Sequence, residues 1–210
     1  MAKESNSEYA SHHANIASHP DYRQLLEDVV SRAGIVELMK AAQNSDKKPV
    51  FLDVGGGIGV LGRVLAKVAK KNGIPHSTVS PAFTYINVDN DEEALKQSPP
   101  QTHLGSVNEL PIPEKSADAI FLIAANAILT EEALSSIYAA AKPGAKFVAV
   151  EFVLKEKLEE KGKKDEPYPG TRFTAKEIIK IPPKLAAAYA TFQRAIPTHA
   201  RVVIGERILK

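Results

Sequence analysis

Asp53 stands near the end of an apolar run, Val50 to Val54, and the chain then breaks into glycine at Gly55, Gly56, Gly57 and Gly59. Four of the chain's 12 glycines fall within these five residues, which marks a place where side chains are excluded. A glycine-rich turn after a strand lets a ligand lie against the main chain, and the helix that follows offers amide groups with no partner of their own. An aspartate in an apolar strand needs a hydrogen-bond donor or a cation, because an unpaired buried carboxylate is costly. A ligand carrying a positive group meets that need. A second acid, Asp89, ends another apolar run, "FTYINVD".

Two cofactor classes compete for such a loop. Gly57, Gly59 and Gly62 satisfy the letters of the dinucleotide pattern G-x-G-x-x-G. In that pattern the first glycine follows the strand directly. Here that glycine is Gly55, and Val60 occupies the place of the third. Asp89 also lies farther along than the ~20 residues usual for a ribose-binding acid of that type. The nicotinamide reading is weakened on both counts.

The elements that must position these residues alternate along the chain. Val50 to Val54 reads as a buried strand, followed by Leu61, Val64, Leu65 and Val68 at helical spacing, with Arg63, Lys67 and Lys71 on another face. Residues 83–89 read as a second strand, "DEEALKQ" as a short helix and residues 102–107 as a brief strand. "ADAIFLIAA" (117–125) is the near-continuous apolar run of a strand covered on both faces. Thr130 is placed to cap a helix with Glu131 and Glu132 in its first turn, "KPG" ends that helix, and residues 146–154 form a fifth strand. This alternation predicts an α/β fold, a Rossmann-like doubly wound, mostly parallel sheet with helices on both faces.

The flanks are less regular. Residues 1–20 are polar and aperiodic, a flexible arm or lid, and helical spacing begins at Asp21 with Leu25, Leu26, Val29 and Val30, then Ile35, Leu38 and Met39. Residues 1–45 are read as an N-terminal cap, and 46–210 as the main domain, with a charged insertion at about 155–172. "TAKEIIKI" reads as a helix stopped by Pro182 and Pro183. The C-terminal stretch "YATFQRAIPTHARVVIGERIL" reads as an antiparallel hairpin turning at "PTH", with a helix and one strand as the alternative.

"FLDVGGGIG" resembles the first motif of class I S-adenosylmethionine-dependent methyltransferases, and the likeness extends over roughly residues 48–154. "YINVDND" resembles their second motif, "GSVNELPIPEKSADAIFL" the segment leading into the fourth strand, and "AAAKPGAKFVAVEF" the turn before the fifth. Gly105, Leu110, Pro111 and Asp118 match that third segment. The resemblance implies S-adenosylmethionine as cofactor. It also implies that Gly55, Gly57 and Gly59 lie against the methionine and ribose, Asp53 helps to hold the amino group, and Asp89 accepts from the ribose hydroxyls. Where the family often has an acid facing adenine, this chain has Ser106, so Ser106, Asn108 or main chain near Val107 takes that place.

Methyl transfer from a sulfonium needs orientation and exclusion of water more than acid–base groups, although an oxygen or carbon acceptor gains from a base. The candidate bases are His12 and His13, in an arm that covers the site or is merely solvated. Asn126 follows the fourth strand, facing the expected crevice or capping a turn; "NAIL" there departs from the Pro-Pro-Tyr sequence of base-amine methylating relatives. Tyr22, Tyr168 and Arg172 are candidates for holding the acceptor, Arg172 by pairing a carboxylate or phosphate, and Glu151 faces either the crevice or the helices. His76 and His103 have no metal-ligand spacing with any partner, so no metal is expected.

Composition sets the outer bounds. With 210 residues, 44% of them hydrophobic, the chain is long enough for a full core. A formal charge of +2 calls for neither nucleic acid nor membrane as partner, and the stretch Lys155 to Lys164 alternates its signs. The chain has no cysteine, which excludes disulfides and thiolate chemistry. No apolar run approaches the ~20 residues of a membrane span, and the first residues lack a signal peptide's apolar core, so a cytoplasmic protein is expected. The expectation is a methyltransferase acting on a small-molecule acceptor, with a homodimer possible. The alternatives are a non-catalytic cofactor-binding or regulatory member of the fold and an RNA or protein methyltransferase.

Overall fold

A computed structural model describes residues 14–77, 81–98, 102–125, 130–153, 171–190, 197 and 199–207. Its elements are α1 (Pro20–Arg32), α2 (Ile35–Ala41), β1 (Val50–Val54), α3 (Val60–Lys71), β2 (Thr84–Asp89), α4 (Glu92–Leu95) and β3 (Thr102–Leu104). They continue with β4 (Ala117–Ile123), α5 (Glu131–Ala140), β5 (Ala141–Val153), β6 (Thr171–Lys180), α6 (Pro183–Ala190) and β7 (His199–Arg207).

The strands form one seven-stranded sheet in the order β3-β2-β1-β4-β5-β7-β6. Strands β1 to β5 pair in parallel, while β7 runs antiparallel to both β5 and β6. The chain winds outward from β1 to β3 and then crosses back to β4, so the order reverses between β1 and β4. Ligands of such sheets bind beyond the carboxyl ends of the strands at that reversal. The glycines after β1 open onto this point.

Two apolar layers cover the sheet. On one face Leu26 and Val29 of α1, Ile35 and Met39 of α2, Val64 and Leu65 of α3 and Leu185 of α6 pack with Phe51, Phe121 and Val148. On the other, Ile137 and Ala140 of α5 pack with Leu52, Ile120, Leu122 and Phe147. The alternation of Phe51 and Leu52, or Phe121 and Leu122, between these layers is the period of a strand buried on both sides. Buried Glu27 on α1 pairs with Lys67 on α3 at 2.5 Å, fastening the first helix to the third.

Thr130 caps α5 as expected, its hydroxyl accepting from the Ala133 amide, and Asp91 does the same for α4. Three local expectations are corrected. Residues 14–18 are helical, and Ile16 and Ala17 are buried, so the polar arm ends earlier than residue 20. "TAKEIIKI" is not a helix but the body of β6, paired with β7 from Thr171 opposite Arg207 to Lys180 opposite His199. The antiparallel C-terminal pair therefore exists, but it does not turn at "PTH": α6 lies between its strands. Pro182 and Pro183 end the strand, and Pro183 then occupies the first position of α6, where a missing amide hydrogen is harmless.

Candidate functional site

The turn after β1 is built on three left-handed glycines, with φ of 69° at Gly55, 51° at Gly57 and 67° at Gly59. A side chain at any of them would strain the backbone. The Gly55 amide donates to Val88 O at 2.8 Å, which extends the β1–β2 pairing by one step, and the Gly59 amide donates to Gly56 O at 2.9 Å and closes the loop. Gly56 is glycine for a different reason. A Cβ there would lie 2.4 Å from both Asn87 Oδ1 and Asp53 Oδ2, so the polar side chains beneath fill the space.

Strand β2 fastens the loop from its side. Asp89 Oδ2 accepts from the Gly57 amide at 2.7 Å, and its Oδ1 accepts from the Asp91 amide at 2.9 Å. Asn87, fully buried, donates through Nδ2 to Gly57 O at 2.8 Å and to Ser98 Oγ at 2.9 Å. Tyr85 donates its hydroxyl to Asp53 Oδ2 at 2.6 Å. Tyr85, Asn87 and Asp89 stand two apart, so the pleat turns all three to one face.

Asp53 is 1% exposed, and its carboxyl lies under the loop rather than in the open crevice. Burial pushes it up to about 7, with the Tyr85 hydroxyl opposing that shift and the Asp89 charge adding to it. Burial, and then the Asp53 charge, raise the Tyr85 phenol well above its ordinary value. Asp53 Oδ1 and Asn87 Oδ1 have no hydrogen-bond partner among the described residues. Two buried acceptors under the glycine turn suit a ligand that brings positive charge.

Past β3, the Gly105 amide donates to Asp89 O at 3.0 Å, which places the next turn beside the acid. Ser106 and Asn108 are exposed and Val107 half-buried; the Asn108 amide donates to Ser106 Oγ at 3.2 Å. Asp53, Gly55, Gly57, Gly59 and Asp89 are thus joined in one constellation, and Ser106 to Asn108 form its far rim.

The remaining candidates are more scattered. Tyr22 is buried on α1, with its ring 6.0 Å from Phe152 near the carboxyl end of β5. Arg172 lies in β6 opposite Glu206, which in turn pairs with Lys146 at the amino end of β5, so the expectation that it holds the acceptor is corrected: it stands at the end of the sheet away from the crevice. His12, His13, Asn126 and Tyr168 lie outside the described residues. Glu151 forms an ion pair with Arg201 across β5 and β7. Asp118 sits at the opposite end of the sheet, accepting from the Val50 amide at 2.8 Å and pairing with Lys142 at 2.7 Å. His76 stacks on Phe83 at 4.7 Å and accepts from the Ala82 amide at 3.1 Å. No group of three metal-ligating side chains occurs among the described residues.

Tyr85, Asn87 and Gly56 were missed from sequence. The signal was present: polar groups at every second position of an otherwise apolar strand, "Y-I-N-V-D", aimed at the loop beside it.

Residues 52–149 match the family model described as a methyltransferase domain. No curated protein matches the sequence. Among solved structures, the chain is similar to a complex of the Haloferax volcanii Trm112 methyltransferase activator and a putative methyltransferase, at 13% identity and a TM-score of 0.58, covering 100% of both chains. It is also similar to a putative sarcosine dimethylglycine methyltransferase from Galdieria sulphuraria, at 12% identity and a TM-score of 0.56, covering 89% of this chain and 86% of that one. A third, the [4+2]-cyclase SpnF, shares 14% identity with a TM-score of 0.55 over 85% of this chain and 82% of its own. At such identities these three likenesses establish the fold alone. Residues 52–149 thus match a methyltransferase domain, and they lie on a Rossmann-like methyltransferase fold; the cofactor that this match implies is S-adenosylmethionine.

Proposed function

We propose that the chain binds S-adenosylmethionine across the Gly55–Gly59 loop and directs its methyl group to a small-molecule acceptor. The observation that carries this reading is the direct bond between Asp89 and Gly57, which sets a strand-end acid beside a loop of left-handed glycines. Asp89 would accept from the ribose hydroxyls, and the main chain of the loop would lie against the methionine part. Asp53, placed under Gly56, would favour the positive amino group through the loop. Ser106, Val107 and Asn108 would border the adenine. The cofactor supplies an electrophilic methyl group on a sulfonium, so the chain's own task is to align the acceptor and exclude water.

The acceptor would approach over the carboxyl ends of β4 and β5. Tyr22, Asn126 and Tyr168 are the residues proposed to meet it, with His12 or His13 as the base if the acceptor is a hydroxyl. A small acceptor is supported by the charge pattern. The formal charge is only +2, and the stretch after β5 mixes lysines with acids rather than presenting a basic stripe. Among the described residues no helix is long and apolar enough to cross a membrane.

Incubation with methyl-labelled S-adenosylmethionine and a cell extract split into small-molecule, RNA and protein fractions tests this reading. Label entering the small-molecule fraction is the expected result. Label confined to RNA or protein overturns the acceptor class, and no transfer in any fraction favours a non-catalytic role.

A further inference from the structure

The N-cap of α3 is Gly59, which has no side chain to satisfy the first-turn amides of the helix. The ring of Tyr85 lies beneath that first turn, and its hydroxyl donates to Asp53 Oδ2 at 2.6 Å. The ring is seated closely beneath the helix, since a Cβ on Gly62 would fall 2.8 Å from a ring carbon of Tyr85. Tyr85 therefore meets both the acid under the glycine loop, through its hydroxyl, and the helix that follows, through its ring.

We propose that Tyr85 is a positioning residue for cofactor binding, its hydroxyl holding Asp53 and its ring seating the first turn of α3 in the arrangement that receives S-adenosylmethionine. This inference rests on the function proposed above and adds a residue to that site.

Asp53 titrates near neutrality, at about 7, and Tyr85 is the neighbour that favours its charged form. Several other groups surround the pair. Asp89 and neutral Asn87 face Asp53 from β2, and β4 places Phe121 opposite it. Arg63 of α3 acts on Tyr85, and Arg23 of α1 acts on Arg63. A cationic ligand favours ionised Asp53, so affinity should be full above the titration and fall below it. Loss of the Tyr85 donor moves that titration upward.

The test is calorimetric titration of S-adenosylmethionine into the full chain, wild type and variants, between pH 6 and 8.5. Tyr85→Phe keeps the ring and deletes the hydroxyl. It should fold normally by circular dichroism, bind about tenfold more weakly at pH 7.5, and show its affinity midpoint at higher pH than wild type. Asp53→Asn should lose the pH dependence, and the double variant should bind within about twofold of the weaker single variant. A Tyr85→Phe variant with unchanged affinity and midpoint, or losses that add, overturns the inference and leaves the proposed function standing. If Tyr85→Phe fails to fold, Asp53→Asn decides: lost pH dependence supports the coupling and retained dependence overturns it. A wild-type chain that binds no S-adenosylmethionine overturns the proposed function and this inference together.

Discussion

Asp89 accepts the amide hydrogen of Gly57 at 2.7 Å, so the acid that ends β2 and the centre of the glycine loop are joined directly. Asn87 adds a second bond to the same residue, through its carbonyl, at 2.8 Å. The loop is thereby held from both sides of Gly57 by one neighbouring strand. A cofactor reaching across from loop to strand end meets groups whose spacing is already set, which lowers the ordering it must impose.

Asp89→Ala removes the carboxylate that fixes Gly57 and is proposed to accept from the ribose. S-adenosylmethionine affinity should fall by ~1–3 kcal/mol, the range for leaving buried polar groups unpaired. Equilibrium dialysis on the folded variant checks this. Wild-type affinity would reject Asp89 as the ribose ligand.

Gly56→Ala places a methyl group 2.4 Å from Asp53 and Asn87 oxygens that have no room to retreat. The expected loss is ~1–3 kcal/mol of stability, as for other overpacked sites, read from the urea midpoint. Gly105→Ala is the matched control, because nothing lies within 4 Å of a Cβ there. It should stay within ~0.5 kcal/mol of wild type.

The buried Asp53 makes stability depend on pH. Its folded value, about 7, lies well above an aspartate's ordinary 3.8. The protonated form is favoured in the fold, so its contribution is complete below the unfolded value and is lost as pH rises through the folded one. Asp53→Asn cannot ionise. Its stability relative to wild type should rise between pH 4 and pH 7 and level off above, by up to ~4 kcal/mol. Urea midpoints of both proteins at pH 4.5, 6 and 7.5 measure the gap. A gap independent of pH would show that Asp53 does not titrate in that window.

Asp118 matches a family motif by sequence but serves the fold at the far end of the sheet, between the Val50 amide and Lys142. Asp118→Ala should lower stability by ~1–2 kcal/mol and leave cofactor affinity unchanged. Weakened binding at equal stability would contradict that division of roles.

The parallel half of the sheet was legible because β1, β4 and α3 have one period each. Apolar residues fill Val50 to Val54 apart from Asp53 and Ala117 to Ile123 apart from Asp118, and Leu61, Val64, Leu65 and Val68 follow helical spacing. Strand β6 was not legible. Thr174 to Ile181 carries good helix formers, and Ile178 and Ile179 sit side by side, where a half-buried strand should alternate. Pairing with β7 along its length overrides that local preference, leaving Ile178 exposed and Ile179 packed on the core. At the site, the glycines and both acids announced themselves by type and spacing. Tyr85 and Asn87, which share the inward face of Asp89, were harder to read because their meaning depends on which strand lies beside the loop, and that is a property of the sheet order.

The most direct measurement is calorimetric titration of the wild-type chain with S-adenosylmethionine, S-adenosylhomocysteine and NAD in parallel. The loop geometry, Asp89 and the family match predict micromolar binding of both adenosyl ligands and none of NAD. Binding of NAD, or of none of the three, would contradict the account.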